Sequence, residues 1–216
     1  MPSIDEIEIA DAPARWAGLG FRTDGERCEI GGVAVRLSGA GTGGETGVAG
    51  WSLRDLLSED LDGLPTRLSS EPARPPALAH PNGVVAIDHV VAVSPSFERS
   101  VAALQAAGLD LRRVREEPTP AGAPRQAFFR LGREILELVA EPEEVAARHG
   151  GTQRPAFFWG LAMLVDDIDA TVQAMAPHAR PPRPAVQPGR RISTLDRSAG
   201  LAFPLALITR EQELAA

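Results

Sequence analysis

Three stretches of this chain begin alike: Ser3-Ile4-Asp5-Glu6-Ile7-Glu8-Ile9, Ala86-Ile87-Asp88-His89-Val90-Val91-Ala92-Val93 and Trp159-Gly160-Leu161-Ala162-Met163-Leu164-Val165-Asp166-Asp167. Each is rich in aliphatic residues at strand spacing, and each precedes a helix-compatible segment and then short strand-like runs. A recurring piece of this kind cannot bury its apolar face alone and must pair with its copies. The pattern predicts an α+β protein assembled from repeated units.

The middle unit is the clearest. A strand over Val84 to Val93 leads into Ser94 or Ser96 as helix cap, then apolar positions Phe97, Val101, Leu104 and Leu109, with Gly108 as the stop. After a break from Pro118 to Pro124, Arg125 to Leu131 and Glu134 to Val139 read as strands joined by Gly132-Arg133, a hairpin signal. The last unit repeats the plan with a strand from Gly160 to Val165, a helix from Ile168 to Met175 opened by Asp166 or Asp167, and strands Arg191 to Asp196 and Leu201 to Ile208, turned at Asp196 to Gly200. The first unit is thinner: Ile4 to Ile9, a helix around Ala14 to Gly18, then Cys28 to Ile30, Val33 to Leu37 and Val48 to Leu53. Its Gly39 to Gly47 stretch reads as a flexible loop without a phosphate-binding pattern. The expected organisation is a degenerate unit over 1–57, a linker over 58–83 rich in Pro, Ser and acidic residues, and a two-unit domain over 84–216.

Composition narrows the function classes. The net charge of −7 argues against a surface that tracks nucleic-acid phosphates, although all 22 basic residues are arginine. The beginning of the chain lacks a basic segment followed by an apolar one, and no apolar run approaches the roughly 20 residues of a membrane span. A cytoplasmic protein that binds neither nucleic acid nor membrane is expected. The single cysteine, Cys28, reads as a half-buried strand residue. Trp16 and Trp51 read as core, and His80, His149 and His178 as solvated.

Three phrases in order, Ile87-Asp88-His89-Val90-Val91-Ala92-Val93, Leu131-Gly132-Arg133-Glu134-Ile135-Leu136-Glu137-Leu138-Val139 and Leu164-Val165-Asp166-Asp167-Ile168-Asp169, resemble the glyoxalase-like branch of the vicinal oxygen chelate superfamily. The resemblance covers about Val84 to Thr209, with a weaker echo over residues 3 to 57. It implies βαβββ units paired into an incomplete barrel, with an extra degenerate unit at the N-terminus. It also implies a divalent metal held by side chains from the first and last strands of each unit, and places His89 and Glu137 at the two metal positions of the middle unit. Strand alternation independently sends His89 and Glu137 to one face with Ile87, Val91, Ile135 and Val139. At the matching positions of the last unit stand Gly160 and Pro204, which offer no ligand side chain, so only a weakly bound divalent metal is expected.

The resemblance implies a glyoxalase-like lyase, isomerase or related enzyme acting on a small carbonyl or hydroxy compound, with Glu137 as general base and His89 as a polarising or metal-binding group. Arg130, Arg191, Phe128 and Trp159 are the candidate substrate contacts, an arginine fork suiting a carboxylate or phosphate. The alternative is a non-catalytic binding protein of the drug-sequestering type. For each residue a plainer role stands beside the sharp one: a core histidine, a solvent-facing glutamate, arginines paired to Glu134 or Asp196, and aromatics that are simply core. An unpartnered N-terminal unit further predicts a homodimer that covers its apolar strand face.

Overall fold

A computed structural model describes residues 1–39, 47–119 and 122–210 of the chain. In chain order its elements are β1 (Ser3–Ala10), α1 (Pro13–Gly18), β2 (Arg27–Ile30), β3 (Val33–Leu37), β4 (Gly47–Arg54), β5 (Thr66–Ser69), β6 (Val84–Ser94), α2 (Phe97–Ala106), β7 (Asp110–Arg115), β8 (Gln126–Leu131), β9 (Glu134–Ala140), α3 (Glu143–Arg148), β10 (Phe157–Val165), α4 (Ile168–Ala174), β11 (Arg183–Pro184), β12 (Arg191–Thr194) and β13 (Leu205–Thr209). Most of the loop expected over Gly39 to Gly47, and the middle of the break at Pro118 to Pro124, lie outside the described residues.

The strands form mixed sheets with strand orders β2-β3-β1-β4-β5 and β11-β12-β13-β10-β6-β9-β8-β7. The larger sheet contains two βαβββ units. In the first, β9 returns parallel to β6 after the β7–β8 and β8–β9 antiparallel pairs; in the second, β13 returns parallel to β10. The N-terminal part follows a shortened plan, with β3 parallel to β1 and antiparallel to β2. The Val48 to Leu53 run does not close that unit beside β3. It forms β4 on the other side of β1 and pairs in parallel with β5, which lies within the stretch read as a linker. Four residues long, with exposed Arg67 and Leu68, β5 carries no alternating apolar signal.

The chain divides into two compact units, each assembled from separated stretches: residues 1–5, 50–72 and 89–159 in the first, and 6–49, 73–88 and 160–216 in the second. In the first unit the hairpin of β8 and β9 turns through Gly132, whose φ of 64° lies in the left-handed region that a two-residue connection needs at its first position. Alternation then divides the two faces. Ala127, Phe129, Leu131, Leu136 and Leu138 are fully buried, as is Leu104 of α2, which packs on β9. The helix follows from Phe97, Val101 and Leu104 at helical spacing. Its N-cap is Ser96, which makes no side-chain capping bond and whose own N–H donates to the Ser94 hydroxyl. Asp62 clamps the start of α2 by accepting from both Nε and Nη2 of Arg99 and from the Ser100 hydroxyl.

In the second unit Ile7, Ile9, Val35, Leu37 and Trp16 form a core under β1 and β3, and Met163, Val165 and Leu207 form one under β10 and β13. The Asp167 carboxylate caps α4 by accepting the Ala170 N–H, as its position before the helix predicts. Gly200, with φ 72°, ends the single helical turn Arg197–Ala199 that Asp196 opens, in the turn expected there. No helix among the described residues is long and apolar enough to cross a membrane.

Candidate functional site

On β6 and β9 the register pairs His89 with Ile135 and Val91 with Glu137. His89 and Glu137 therefore share a face, and they meet: His89 Nε2 lies 3.3 Å from Glu137 Oε2. Both are mostly but not wholly buried, with side chains 17% and 15% exposed, which leaves access to a small molecule. The opposite carboxylate oxygen, Oε1, accepts a hydrogen bond from Gln126 Nε2 on β8. A carboxylate in this position attracts the N–H end of the amide and repels its oxygen, so Gln126 Oε1 is turned away, buried and without a hydrogen-bond partner among the described residues. Gln126 was not among the residues singled out from the sequence. Its two-residue offset from Phe128 on an alternating strand is the signal that places it there.

The other expected contacts divide. Phe128 stands directly opposite Glu137 across the β8–β9 pair and is half-buried on the site face; Arg130 follows on that face and is exposed. Trp159, in β10, is 50% exposed, and no described contact joins it to His89 or Glu137. Arg191 belongs to the second unit, where it holds the Asp169 carboxylate in a bidentate pair and not Asp196. It lines a cleft of about 470 Å³ with Asp166, Asp167, Arg190 and Thr209. Other charges of that cleft are paired with residues outside its lining, Arg190 with Asp88 and Asp166 with Arg210.

One histidine departs from expectation. His80 is buried, not solvated: its Nδ1 accepts the Arg22 N–H at 3.0 Å and its Nε2 lies 4.0 Å from Cys28 Sγ. The fold thus brings a histidine to the lone cysteine across 52 residues of sequence, yet the pair is not a nucleophile and base. Burial, reinforced by the Glu29 carboxylate, pushes the Cys28 thiol up to about 12, and burial lowers His80. The thiolate fraction at about pH 8 is then on the order of 10⁻⁴. Iodoacetamide is expected to leave Cys28 unmodified in the folded protein and to modify it readily in urea; rapid modification of the native state would contradict the buried, protonated thiol.

No family model matches the sequence, and no protein of curated function matches it. Solved structures do. Methylmalonyl-CoA epimerase from Mycobacterium tuberculosis superposes with a TM-score of 0.51 at 18% identity, over 64% of this chain and 96% of that one. A xylose isomerase-like TIM barrel/4-hydroxyphenylpyruvate dioxygenase fusion protein superposes over 99% of this chain with a TM-score of 0.61 at 14% identity. This chain spans half of that fusion protein's length. A mutant of 4-hydroxymandelate synthase from Streptomyces coelicolor superposes over 97% of this chain and 93% of that one, with a TM-score of 0.58 at 15% identity. The chain has the vicinal oxygen chelate fold.

Within a vicinal oxygen chelate fold the two βαβββ units can be aligned residue by residue. Seven residues before the helix N-caps Ser96 and Asp167 stand His89 and Gly160. Two residues on, Val91 faces Glu137 and Ala162 faces Ala206. The counterpart of Glu137 is therefore Ala206, two residues beyond the Pro204 read from the sequence. Neither residue carries a donor. Gly160 is also sterically fixed, because a Cβ there would sit 2.5 Å from the Pro204 carbonyl oxygen. The donor set does not fit a resident metal: one imidazole and one carboxylate fall short of the three protein ligands usual in catalytic sites, and no group of three such side chains occurs among the described residues.

Proposed function

We propose that the face of β6, β9 and β8 bearing His89, Glu137 and Gln126 binds a small carbonyl or hydroxy compound and that the protein is an enzyme of the lyase or isomerase type, with Glu137 as general base. The contact between His89 and Glu137 carries this reading. Gln126 and His89 engage the two carboxylate oxygens from opposite sides and fix their direction. A C–H next to a substrate carbonyl, set against Glu137, then loses its proton to a base already oriented. His89 polarises the substrate oxygen as charge builds on it. Methylmalonyl-CoA epimerase, the 4-hydroxyphenylpyruvate dioxygenase fusion protein and 4-hydroxymandelate synthase are named for acyl or acid compounds, which agrees with this class without specifying it.

The test is exchange of the α-protons of small 2-oxo acids in D₂O, followed by NMR. Glu137→Gln is expected to slow enzyme-dependent exchange by about 10²-fold or more, the range a positioned base supplies. Equal exchange in wild type and Glu137→Gln overturns the base assignment. Saturable binding without exchange favours the second reading, a non-catalytic binding protein, which the donor-free positions Gly160 and Ala206 support. A divalent ion at His89 and Glu137 would have two protein ligands and exchange readily. Dialysis against a chelator is accordingly expected to remove it without lowering the melting temperature, and unfolding on chelation would contradict this. The reading further places the protein in the cytoplasm as a homodimer, supported by the exposed Leu57 and Leu68 of the first unit, 80% and 54% exposed. Sedimentation of a monomer at micromolar concentration would exclude the dimer.

A further inference from the structure

Between β7 and β8 the register slips. Leu111 faces Phe129 and Arg113 faces Phe128, so Arg112 has no counterpart and forms a bulge. Phe128 and Phe129 point to opposite sides of their strand, and so Leu111 and Arg113, two residues apart, do too. The bulge changes which side chains reach which face. Leu111 and Val114 lie with the buried Phe129 and Ala127, whereas Asp110, Arg113 and Arg115 lie opposite Arg130, Phe128 and Gln126 on the face of His89 and Glu137. Without the extra residue, Leu111, Arg113 and Arg115 would share one face and an arginine would meet the core.

The row running outward from β9 is then Glu137, Phe128, Arg113, one residue from each adjacent strand. Strands about 4.8 Å apart place Arg113 roughly 10 Å from Glu137, with the Phe128 ring between them. No described carboxylate lies within ion-pair distance of Arg113 or Arg130, while Arg112 pairs with Asp110 and Arg115 with Glu117. The row beside it is Val139, Gln126, Arg115; Gln126 is 8% exposed and its buried Oε1 has no donor among the described residues. A guanidinium without a carboxylate, an aromatic surface and a buried acceptor without a donor face one side of one sheet.

We propose that the ligand of this site is an oxyanion-bearing molecule, its carboxylate or phosphate held by Arg113, its apolar middle on Phe128, and a hydroxyl or N–H donated to Gln126 Oε1. This rests on the reading of the His89 and Glu137 face as the ligand site and supplies its substrate class. Arg113 is a positioning residue: it sets which atom of the ligand lies over Glu137 and takes no part in proton transfer. An arginine suits this because its planar fork binds either oxyanion in two hydrogen bonds.

The test uses phenyl phosphate and benzoate as probes, with benzamide as the neutral control, titrated into the full chain while the ¹⁵N resonance of the Arg113 side chain is followed. Saturable binding of either anion is expected, the tighter of the two identifying phosphate or carboxylate as the preferred group, with benzamide bound about tenfold more weakly or not at all. Arg113→Gln should weaken the anion about tenfold or more and Arg113→Lys should restore part of the loss. Arg112→Gln, which removes the same charge from the bulged neighbour, should leave binding unchanged. Equal weakening by Arg112→Gln, equal binding of benzamide, or no saturable anion binding overturns the proposal. Glu137→Gln separates it from the catalytic reading, because anion binding should survive that substitution whether or not proton exchange does.

Discussion

Replacing Asp5 by alanine is expected to cost about 3–5 kcal/mol of folding stability, the range found when one partner of a buried ion pair is removed. Asp5 accepts from Arg54 Nη2 and from the hydroxyls of Ser52 and Ser69. The Arg54 guanidinium is otherwise satisfied by the carbonyls of Ile4, Glu71 and Pro72, and its side chain is only 10% exposed. Removing the carboxylate leaves those three hydrogen bonds but strands a cation away from water, which is the costly part. Asp5→Asn retains an acceptor and should cost less. Replacing both partners, as in Asp5→Ala with Arg54→Met, should cost less than the two single changes added together, since no buried charge then remains unmatched. Denaturant melts of the four proteins give the coupling directly. If Asp5→Ala melts within about 1 kcal/mol of the parent, the pair is not the fastening of β5 and the chain up to Pro72 that its contacts describe.

The meeting of His89 and Glu137 was more legible in the sequence than the strands around them, for physical reasons visible at particular residues. His89 and Glu137 lie in runs with regular alternation, so their shared face follows from counting by two, and their contact needed only the parallel return of β9 beside β6. The same count along Ser3 to Ile9 puts Asp5 on the face of Ile7 and Ile9, a buried carboxylate that the alternation already marks, although its partner Arg54 lies 49 residues away and only tertiary structure supplies it. β7 was missed altogether. Its Leu-Arg-Arg-Val-Arg order fits neither period because the bulge at Arg112 interrupts the alternation, and the interruption is what delivers Arg113 to the site face. β5 and β11 are too short and polar to show any period. His80 was misplaced because a Pro-rich stretch ending in Pro81-Asn82-Gly83 normally signals a solvated turn; here the turn is tied down, with Asn82 Nδ2 donating to the Leu19 carbonyl and His80 packed edge-on against Phe21.

Introducing a donor at Gly160 is expected to destabilise the fold and not to build a metal site. The repeated unit suggests the substitution Gly160→His, since His89 occupies the same place relative to its own helix cap. Any side chain begins with a Cβ, however, and at this position that atom falls 2.5 Å from a backbone carbonyl oxygen and 3.4 Å from the Pro204 side chain. The carbonyl cannot step aside freely, because Pro204 O accepts the Leu161 N–H at 3.1 Å and the strand continues in register from Leu205 to Thr209 against Leu161 to Val165. Overpacking of this kind costs about 1–3 kcal/mol where neighbours can shift and more where backbone must. Gly160→Ala, which adds only the Cβ, should therefore lose upwards of about 2 kcal/mol, and Gly160→His at least as much. Ala206→Ser is the companion measurement: it adds one polar atom at the half-buried counterpart of Glu137 and should change stability by less than about 1 kcal/mol. If Gly160→Ala melts like the parent, the approach of β10 to Pro204 is looser than 2.5 Å implies, and Gly160 ceases to be a steric reason for the missing ligand. If it melts far lower while Ala206→Ser does not, the last unit is closed to a ligand side chain at Gly160 by its own backbone.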